Sequence, residues 1–336
     1  MLVRSVNVVV NSFFKNNIAG TTKTKVLVVV TSVSFTAAAV FYGMGYVVNA
    51  VTVKQKKITA TTTQPTPEIL YDKTVFDDIA IVGKSFVVYD PIRKEIIASK
   101  DAGTVYPLAS ITKVMTALLA KSYIEEGEKV KILASDLAPE GDSKLRIADV
   151  WSRDDLISYT LSVSSNDGAR ALARTAGIRL ANTAADTDAQ VKSFLEKMNS
   201  ASGEYGLTSF SFYNESGLDI SPSVAGGYGN SADVAKLFAK AYFDAPSIFE
   251  TTTESVAYIS SADGNNRAEN TNEAASNIPG LAISKTGFTD SALGNLGVVV
   301  EIGPGRPVVI VVLHSSKDDR FTDVEKLRKA TVKAMK

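Results

Sequence analysis

A serine and a lysine stand three residues apart in the segment YPLASITKVMTALLA, residues 106–120. Residues at this spacing share one face of a helix, so the Lys113 amine can reach the Ser110 hydroxyl. The pattern fits a serine nucleophile with a lysine base, and it also fits the polar start of a buried helix. A second match, SFFK at residues 12–15, shows that the pattern alone decides nothing.

Two further motifs favour chemistry at this serine. SSN follows at residues 164–166, and KTG at residues 285–287 lies on a predicted strand near the C-terminal end. A lysine with a pKa near 10.4 is almost wholly protonated at pH 7, so Lys113 needs a pKa lower by roughly two to three units to act as a base. Burial and a neighbouring cation can lower it, and Lys285 is the candidate cation.

The composition argues against several other chemistries. The 336 residues include no cysteine and one histidine, His314, which ends an apolar strand pattern. A thiol nucleophile is excluded, and we expect neither a metal site nor another cofactor. From residue 68 onward the sequence has 36 Asp or Glu and 29 Lys or Arg residues, and it contains no basic stripe with interleaved aromatics. We therefore expect no nucleic-acid partner.

The elements that would hold these residues form an α+β pattern. SFVVYDPIRKEIIASK predicts a hairpin, Ser110 opens a helix, and residues of about 128–245 are mostly helical. Strands return in LAISKTGFT, LGNLGVVVEI and PVVIVVLHS before a last amphipathic helix. We expect one antiparallel sheet built from N- and C-terminal strands and flanked by helices, with a mostly helical subdomain inserted.

The N-terminal region predicts a membrane anchor. Residues 26–53 carry no charge and are long enough to cross a bilayer as one tilted helix. We predict a cytoplasmic tail over 1–25, a transmembrane helix over 26–53, a Thr/Pro-rich tether over 54–70 and a folded domain over 71–336. Lysine and arginine nearly balance on the two sides, so the positive-inside rule leaves the orientation open.

From about residue 86 to the end, the sequence resembles a known family. Ser-x-x-Lys, Ser-x-Asn and Lys-Thr-Gly stand in the order found in the penicillin-recognising serine enzymes, which share a β-lactamase/transpeptidase-like fold. The segments PLASITKVMTALLA, SVSSNDGARALA, ISKTGFTD and VVIVVLHSSKDDRF resemble, more narrowly, the low-molecular-mass penicillin-binding proteins that are serine-type D-alanyl-D-alanine carboxypeptidases.

The resemblance implies a role for four residues of the first two motifs. Ser110 would be the nucleophile and Lys113 its base. Ser164 would relay a proton to the leaving amine, and Asn166 would bond the substrate's amide carbonyl and help hold Lys113.

The resemblance also implies how substrate binds. The substrate would pair with the KTG strand as an additional strand. Lys285 and Thr286 would contact its terminal carboxylate, and Gly287 would let the substrate backbone approach the strand edge closely. The backbone N–H groups of Ser110 and Phe288 would form the oxyanion hole.

Four other segments have weaker implications. Arg320 would either add charge to the carboxylate site or be a solvated cation at a helix start. NESGLD, residues 214–219, is expected to be a structural turn, and ENTN, residues 269–272, to border the site. After KTGFTD the family commonly continues with Ala-Ala-Gly, whereas this chain has SALGNLG, which predicts a shifted strand register.

The implied function is a membrane-anchored carboxypeptidase that trims peptidoglycan stem peptides ending in D-Ala-D-Ala and is inhibited by β-lactams. Such an enzyme faces the cell wall, so we expect the N-terminus inside and the domain outside. A DD-endopeptidase is a close variant. A serine β-lactamase is the main rival enzyme. In its class A members a Glu-x-x-x-Asn loop positions the water, and Glu196 and Asn199 in LEKMN have the wrong spacing. A non-catalytic wall-binding homologue is the remaining alternative.

Overall fold

The computed structural model describes residues 71–137, 144–181 and 186–335. Their β-strands are β1 Ser85–Asp90, β2 Glu95–Lys100, β3 Val105–Pro107, β4 Lys129–Lys131, β5 Val150–Ser152, β6 Ser211–Phe212, β7 Gly227–Asn230, β8 Val256–Ser261, β9 Gly264–Glu269, β10 Leu281–Thr289, β11 Leu293–Glu301 and β12 Pro307–Ser315. Their α-helices are α1 Lys113–Tyr123, α2 Arg153–Val163, α3 Asn166–Ala181, α4 Thr187–Glu204, α5 Ser231–Asp244 and α6 Asp319–Ala334. Short 3₁₀ segments lie at Lys73–Phe76, Ala109–Thr112, Ala134–Asp136, Pro246–Thr253 and Ala275–Asn277.

The main sheet joins strands from both ends of the folded domain. Its five strands have the order β10-β11-β12-β1-β2, and every neighbouring pair is antiparallel. The first hairpin, β1–β2, pairs with the C-terminal β12 from Ser85↔Leu313 to Tyr89↔Val309. The prediction of an antiparallel sheet built from N- and C-terminal strands is confirmed.

Alternate residues of the central strands belong to two separate hydrophobic cores, because successive side chains of a strand point to opposite faces of the sheet. On β12, Val309 and Val311 join the core that contains α1 to α5, whereas Ile310 and Val312 join the core that contains α6. Helices thus cover both faces of the sheet, which explains why PVVIVVL is an unbroken apolar run.

Helix α1 is the centre of the helical layer. The residues predicted to form its apolar face, Val114, Met115, Leu118 and Leu119, are at most 5% exposed. Helices α2, α3, α4 and α5 all contact it. A helix enclosed on every side cannot shift without disturbing each neighbour, so the start of α1 is a rigid place for reactive side chains.

The helical insertion predicted over 128–245 contains α2 to α5, with the short strands β4 to β7 among them. Its last helix, α5, packs directly on the main sheet. A Cβ on Gly297 of β11 would lie 2.5 Å from the Phe238 ring of α5, so glycine is required for this close approach. The insertion is therefore joined to the sheet through α5.

Strand β10, which carries KTG, lies at one edge of the main sheet. Its pairing with β11 runs without a shift from Ser284↔Val298 to Thr289↔Leu293, and its bulge lies between Leu281 and Ile283. The register shift predicted from SALGNLG is present on the other side of β11, where the pairing with β12 shifts between Gly294 and Leu296. Residues 290–292 form a tight turn in which the Thr289 hydroxyl accepts from the Ala292 N–H at 3.1 Å.

The predicted tail, anchor and tether, residues 1–70, lie outside the described residues. Among the residues that are described, no helix combines the length and the apolar character that a membrane crossing requires.

Candidate active site

Ser110 lies in a strained turn at the entrance to α1. The preceding Ala109 has a φ of 47°, and residues 109–112 form a 3₁₀ turn before the α-helix begins at Lys113. Ser110 therefore lies at the start of the helix as predicted, with its first turn of the 3₁₀ type. A positive φ is unfavourable for alanine and persists only where the surroundings impose it. Here the Asn295 amide holds the carbonyls of Pro107 and Leu108 at 3.0 and 3.1 Å.

Lys113 is fully buried and makes three hydrogen bonds. Its Nζ donates to Ser110 Oγ at 2.8 Å, to Asn166 Oδ1 at 2.7 Å and to the Ser216 carbonyl at 2.8 Å. These acceptors use all three protons of an ammonium. In the neutral amine one position becomes a lone pair, which can accept the Ser110 proton while the other two bonds keep the nitrogen in place.

Burial lowers the pKa of Lys113 from 10.5 to about 7, and the negative charge of Glu215 opposes this shift. The pKa of Lys285 is also well below its usual value, because of burial first, then the charge of Lys113 and then that of Arg320. The lowered pKa of Lys113 agrees with the prediction in direction. Burial is the cause, whereas the charge of Lys285, which was predicted to contribute, is not among the causes. Two buried lysines that repel each other favour loss of one proton near neutral pH.

Ser164 stands where α2 ends and the chain turns into α3. It has φ 61° and ψ 37°, the left-handed conformation that closes a helix, and its N–H donates to the Thr160 carbonyl. This turn directs its hydroxyl to Lys285, whose Nζ donates to Ser164 Oγ at 2.9 Å. Asn166 begins α3 two residues later, which places its side chain at Lys113.

The KTG strand, β10, contributes Lys285 and Thr286 to the site opposite Ser164. Lys285 is 1% exposed, and its Nζ also donates to the Thr286 carbonyl at 3.1 Å. The Thr286 and Thr271 hydroxyls bond each other at 2.6 Å, and the Thr271 N–H donates to Ser162 at the end of α2. The ENTN segment therefore borders the site as predicted, and Thr271 ties β10 to the helix end that carries Ser164.

Gly287 lets β10 approach the serine turn. A Cβ at this position would lie 2.6 Å from the Leu108 carbonyl oxygen and 3.3 Å from the Ser110 nitrogen. The close approach made possible by Gly287 is thus to the serine turn itself. Phe288, the next residue on β10, and Ser110 are the pair whose N–H groups are predicted to form the oxyanion hole.

Arg320 is a buried cation behind β10. It is 4% exposed and its Nη1 donates to the Gly287 carbonyl at 2.9 Å, so the prediction of a solvated cation was wrong. Its Nε has no hydrogen-bond partner among the described residues. Its charge lowers the pKa of Lys285, which makes it part of the electrostatics of the KTG strand.

Comparison with known proteins decides the family. A model of the D-alanyl-D-alanine carboxypeptidases, peptidase family S11, matches residues 72–317. The chain belongs to the D-alanyl-D-alanine carboxypeptidase family. Its members are serine hydrolases, in agreement with a serine turn at the centre of this site.

Two relatives and two solved structures illustrate the likeness. The chain is 26% identical over 254 residues to a D-alanyl-D-alanine endopeptidase of Escherichia coli, covering 74% of this chain and 76% of that protein. It is 27% identical over 234 residues to the D-alanyl-D-alanine carboxypeptidase DacB2 of Mycobacterium tuberculosis, covering 69% and 74%. Penicillin-binding protein D2 of Listeria monocytogenes, in its ampicillin-bound form, matches with TM-score 0.63 and 28% identity over 76% of this chain and 99% of that one. The Streptomyces K15 DD-transpeptidase shares the fold with TM-score 0.66 and 24% identity, covering 75% and 98%.

Other sequence candidates lie away from the serine of this carboxypeptidase-family site. Asn199 of α4 bonds the backbone of Phe212 through both ends of its amide, at 2.9 Å each, and Glu196 is exposed on the same helix. Asn199 therefore ties α4 to β6. His314 lies one residue before the end of β12, close to the strand end predicted for it, with its ring 5.3 Å from that of Tyr106.

Sequence reasoning missed the contribution of NESGLD to this site. The segment is a structural turn as predicted, in which Asn214 Oδ1 accepts from the Gly217 N–H at 2.7 Å. The Ser216 carbonyl of the same turn accepts a hydrogen bond from Lys113, and the negative charge of the buried Glu215 raises the pKa of Lys113. The signal in the sequence was an acid, Glu215, directly before a Ser-Gly turn.

We expect Glu215→Gln to move the acid limb of the acylation rate to lower pH. The carboxylate raises the pKa of Lys113, so a neutral amide lets the lysine lose its proton at lower pH, by about half to one pH unit. The measurement is the second-order rate constant for benzylpenicillin from pH 5 to 9. Glu196→Gln, an exposed change on α4, is the control, and an unchanged midpoint in Glu215→Gln contradicts the assignment.

Proposed function

We propose that this protein is a serine D-alanyl-D-alanine carboxypeptidase that removes the last residue of peptidoglycan stem peptides through an acyl-enzyme at Ser110. The observation that carries this proposal is the fully buried Lys113, with a pKa of about 7, which contacts Ser110 Oγ at 2.8 Å. A neutral amine at this distance removes the serine proton as the hydroxyl attacks the amide carbon.

The other groups of the site each carry out one of the remaining steps of the reaction. The oxygen that becomes negative in the tetrahedral intermediate binds the N–H groups of Ser110 and Phe288. The proton passes to the leaving amine through Ser164, whose hydroxyl accepts from Lys285 at 2.9 Å. Free D-alanine departs, and water then attacks the Ser110 ester with Lys113 again as base.

Substrate binds as an additional strand on β10. The Ser284 N–H donates to Thr252 Oγ1 at 3.1 Å, away from β11. Because backbone groups alternate along a strand, those of Thr286 and Phe288 face the same outer edge. The terminal carboxylate of the substrate lies at Lys285 and Thr286, with the buried charge of Arg320 behind the strand.

Two variants of this activity share the same groups. Some relatives are named endopeptidases and others carboxypeptidases, and the family description names the carboxypeptidase. Inhibition by β-lactams is part of the proposal, supported by the ampicillin-bound form of the Listeria relative.

The proposal includes a location. An uncharged run over residues 26–53 is long enough to anchor the chain, and a wall substrate requires the domain outside the cytoplasm. Protease added to intact spheroplasts would remove an external domain and leave an internal one untouched.

The function is tested by incubating the purified full-length chain with fluorescent penicillin and, separately, with a pentapeptide ending in D-Ala-D-Ala. A long-lived adduct together with release of D-alanine is the expected result. Rapid loss of the adduct would instead indicate a β-lactamase. Neither adduct nor release would indicate a wall-binding protein, and faster cleavage of cross-linked dimers than of pentapeptide would indicate the endopeptidase.

A further inference from the structure

Two threonine hydroxyls form a pair at the KTG strand. Thr286 of β10 and Thr271 of the ENTN segment have their Oγ1 atoms 2.6 Å apart. Thr286 is 3% exposed and Thr271 is half-buried. Within the part of the chain that the structure describes, neither hydroxyl has a second hydrogen-bond partner. The pair therefore depends on whatever third group reaches it.

The position of Thr271 is set by backbone contacts and not by its own hydroxyl. Its N–H donates to the Ser162 carbonyl at 3.0 Å. The side-chain amide of the preceding residue, Asn270, donates to the carbonyls of Thr252 and Glu254 at 2.9 Å each. These three bonds remain when the Thr271 side chain is changed, so the hydroxyl can be removed without releasing the segment.

The direction of the bond between the two hydroxyls decides what Thr286 can offer to a ligand. A threonine hydroxyl has one proton to donate and two lone pairs that accept. If Thr286 donates to Thr271, its only proton is used within the pair. If Thr271 donates to Thr286, the proton of Thr286 is free for a third group. Nothing else bonded to the pair fixes either direction among the described residues.

A bound carboxylate selects one of the two directions. In the proposed function, on which this inference rests, the terminal carboxylate of the substrate lies at Lys285 and Thr286. An ionised carboxylate only accepts hydrogen bonds, so Thr286 must donate to it and Thr271 must donate to Thr286. Hydrogen bonds that run in one direction polarise each other, and a bond to an ionised acceptor gains more than one to a neutral group.

We infer that Thr271 is a positioning residue for the carboxypeptidase reaction. It acts through Thr286, whose hydroxyl it holds as a donor toward the end of the substrate. It thereby favours peptides that end in a free carboxylate over peptides whose last residue carries a neutral group.

The test measures release of the last residue from Nα,Nε-diacetyl-L-Lys-D-Ala-D-Ala and from the same peptide with a C-terminal carboxamide. Thr271→Val and Thr271→Ala both lack the hydroxyl. We expect each to lower kcat/KM about tenfold for the acid and by no more than about twofold for the carboxamide. The loss should lie in KM with kcat unchanged, because the carboxylate is bound equally before and during the reaction. Thr271→Ser keeps the hydroxyl and should stay within about twofold of the wild type.

A double-mutant cycle separates positioning from a general effect on the fold. Thr286→Val removes the hydroxyl through which Thr271 acts, so adding Thr271→Val to it should lower kcat/KM for the acid by less than about twofold. Thr208→Val, an exposed threonine between α4 and β6, is the matched control and should leave both peptides unaffected. Thermal unfolding measures the stability of each variant separately.

Three results would overturn the positioning role and leave the carboxypeptidase standing. They are equal losses on the two peptides in Thr271→Val and Thr271→Ala, a loss in Thr271→Ser as large as in Thr271→Val, and multiplied losses in the double variant. Release of product from neither peptide by the wild type would instead contradict the carboxypeptidase and, with it, the role of Thr271.

Discussion

Ser110→Ala is expected to abolish the covalent penicillin adduct and to lower D-alanine release by at least about 10⁴-fold. Alanine keeps the backbone N–H of the oxyanion hole and removes the only atom that can form the ester. The buried contacts of α1 and the bonds of Lys113 to Asn166 and Ser216 remain, so the fold should be retained. Intact-mass measurement after incubation with benzylpenicillin reads the adduct directly.

A matched control for this variant exists in the same chain. Ser12→Ala changes the serine of the second Ser-x-x-Lys match, at residues 12–15, and should leave labelling unchanged. An adduct of the same mass on Ser110→Ala would show that another residue is the nucleophile.

Lys113→Met is expected to lower the acylation rate by about 10³-fold while the serine stays in place. Methionine fills a similar volume without an amine, so no group remains at 2.8 Å to remove the hydroxyl proton. The carbonyl oxygens of Asn166 and Ser216 lose their donor, which costs about 1–3 kcal/mol of stability. Stopped-flow acylation and thermal unfolding measure the two effects separately.

The control for Lys113→Met lies on the same helix. Lys121→Met, two turns further along α1 and partly exposed, removes an amine of the same kind away from the serine. It should acylate at the wild-type rate. Equal loss of rate in both variants would mean that the helix, and not the amine at Lys113, sets the rate.

The sequence predicted the elements of the fold and the principal residues of the site, because their patterns are local. The unbroken apolar run PVVIVVL and the helical spacing in ITKVMTALLA depend on neighbours in the chain, and both elements form where expected. Lys113 contacts Asn166 as predicted. The Ser-x-x-Lys motif marks the start of α1, and the Ser-x-Asn motif marks the turn where α2 ends and α3 begins.

Contacts between distant segments account for what the sequence did not predict. The turn at Ala109 depends on Asn295, more than 180 residues away, so the 3₁₀ segment has no local signature. Burial of Arg320 depends on the path of β10 above the start of α6, and the helix start alone indicated a solvated residue. The groove beside β10 likewise forms between residues 218–222 and 288–291, which are some 70 residues apart in the chain.

The central claim is that a neutral Lys113 deprotonates Ser110, and the pH dependence of acylation tests it most directly. The neutral fraction of a lysine with a pKa of about 7 rises from about a tenth at pH 6 to about nine tenths at pH 8. The second-order rate constant for benzylpenicillin should therefore rise through a single titration with its midpoint near pH 7, and Lys113→Met should lose that titration. A rate that is flat from pH 5 to 9, or a midpoint near 10, would contradict the claim.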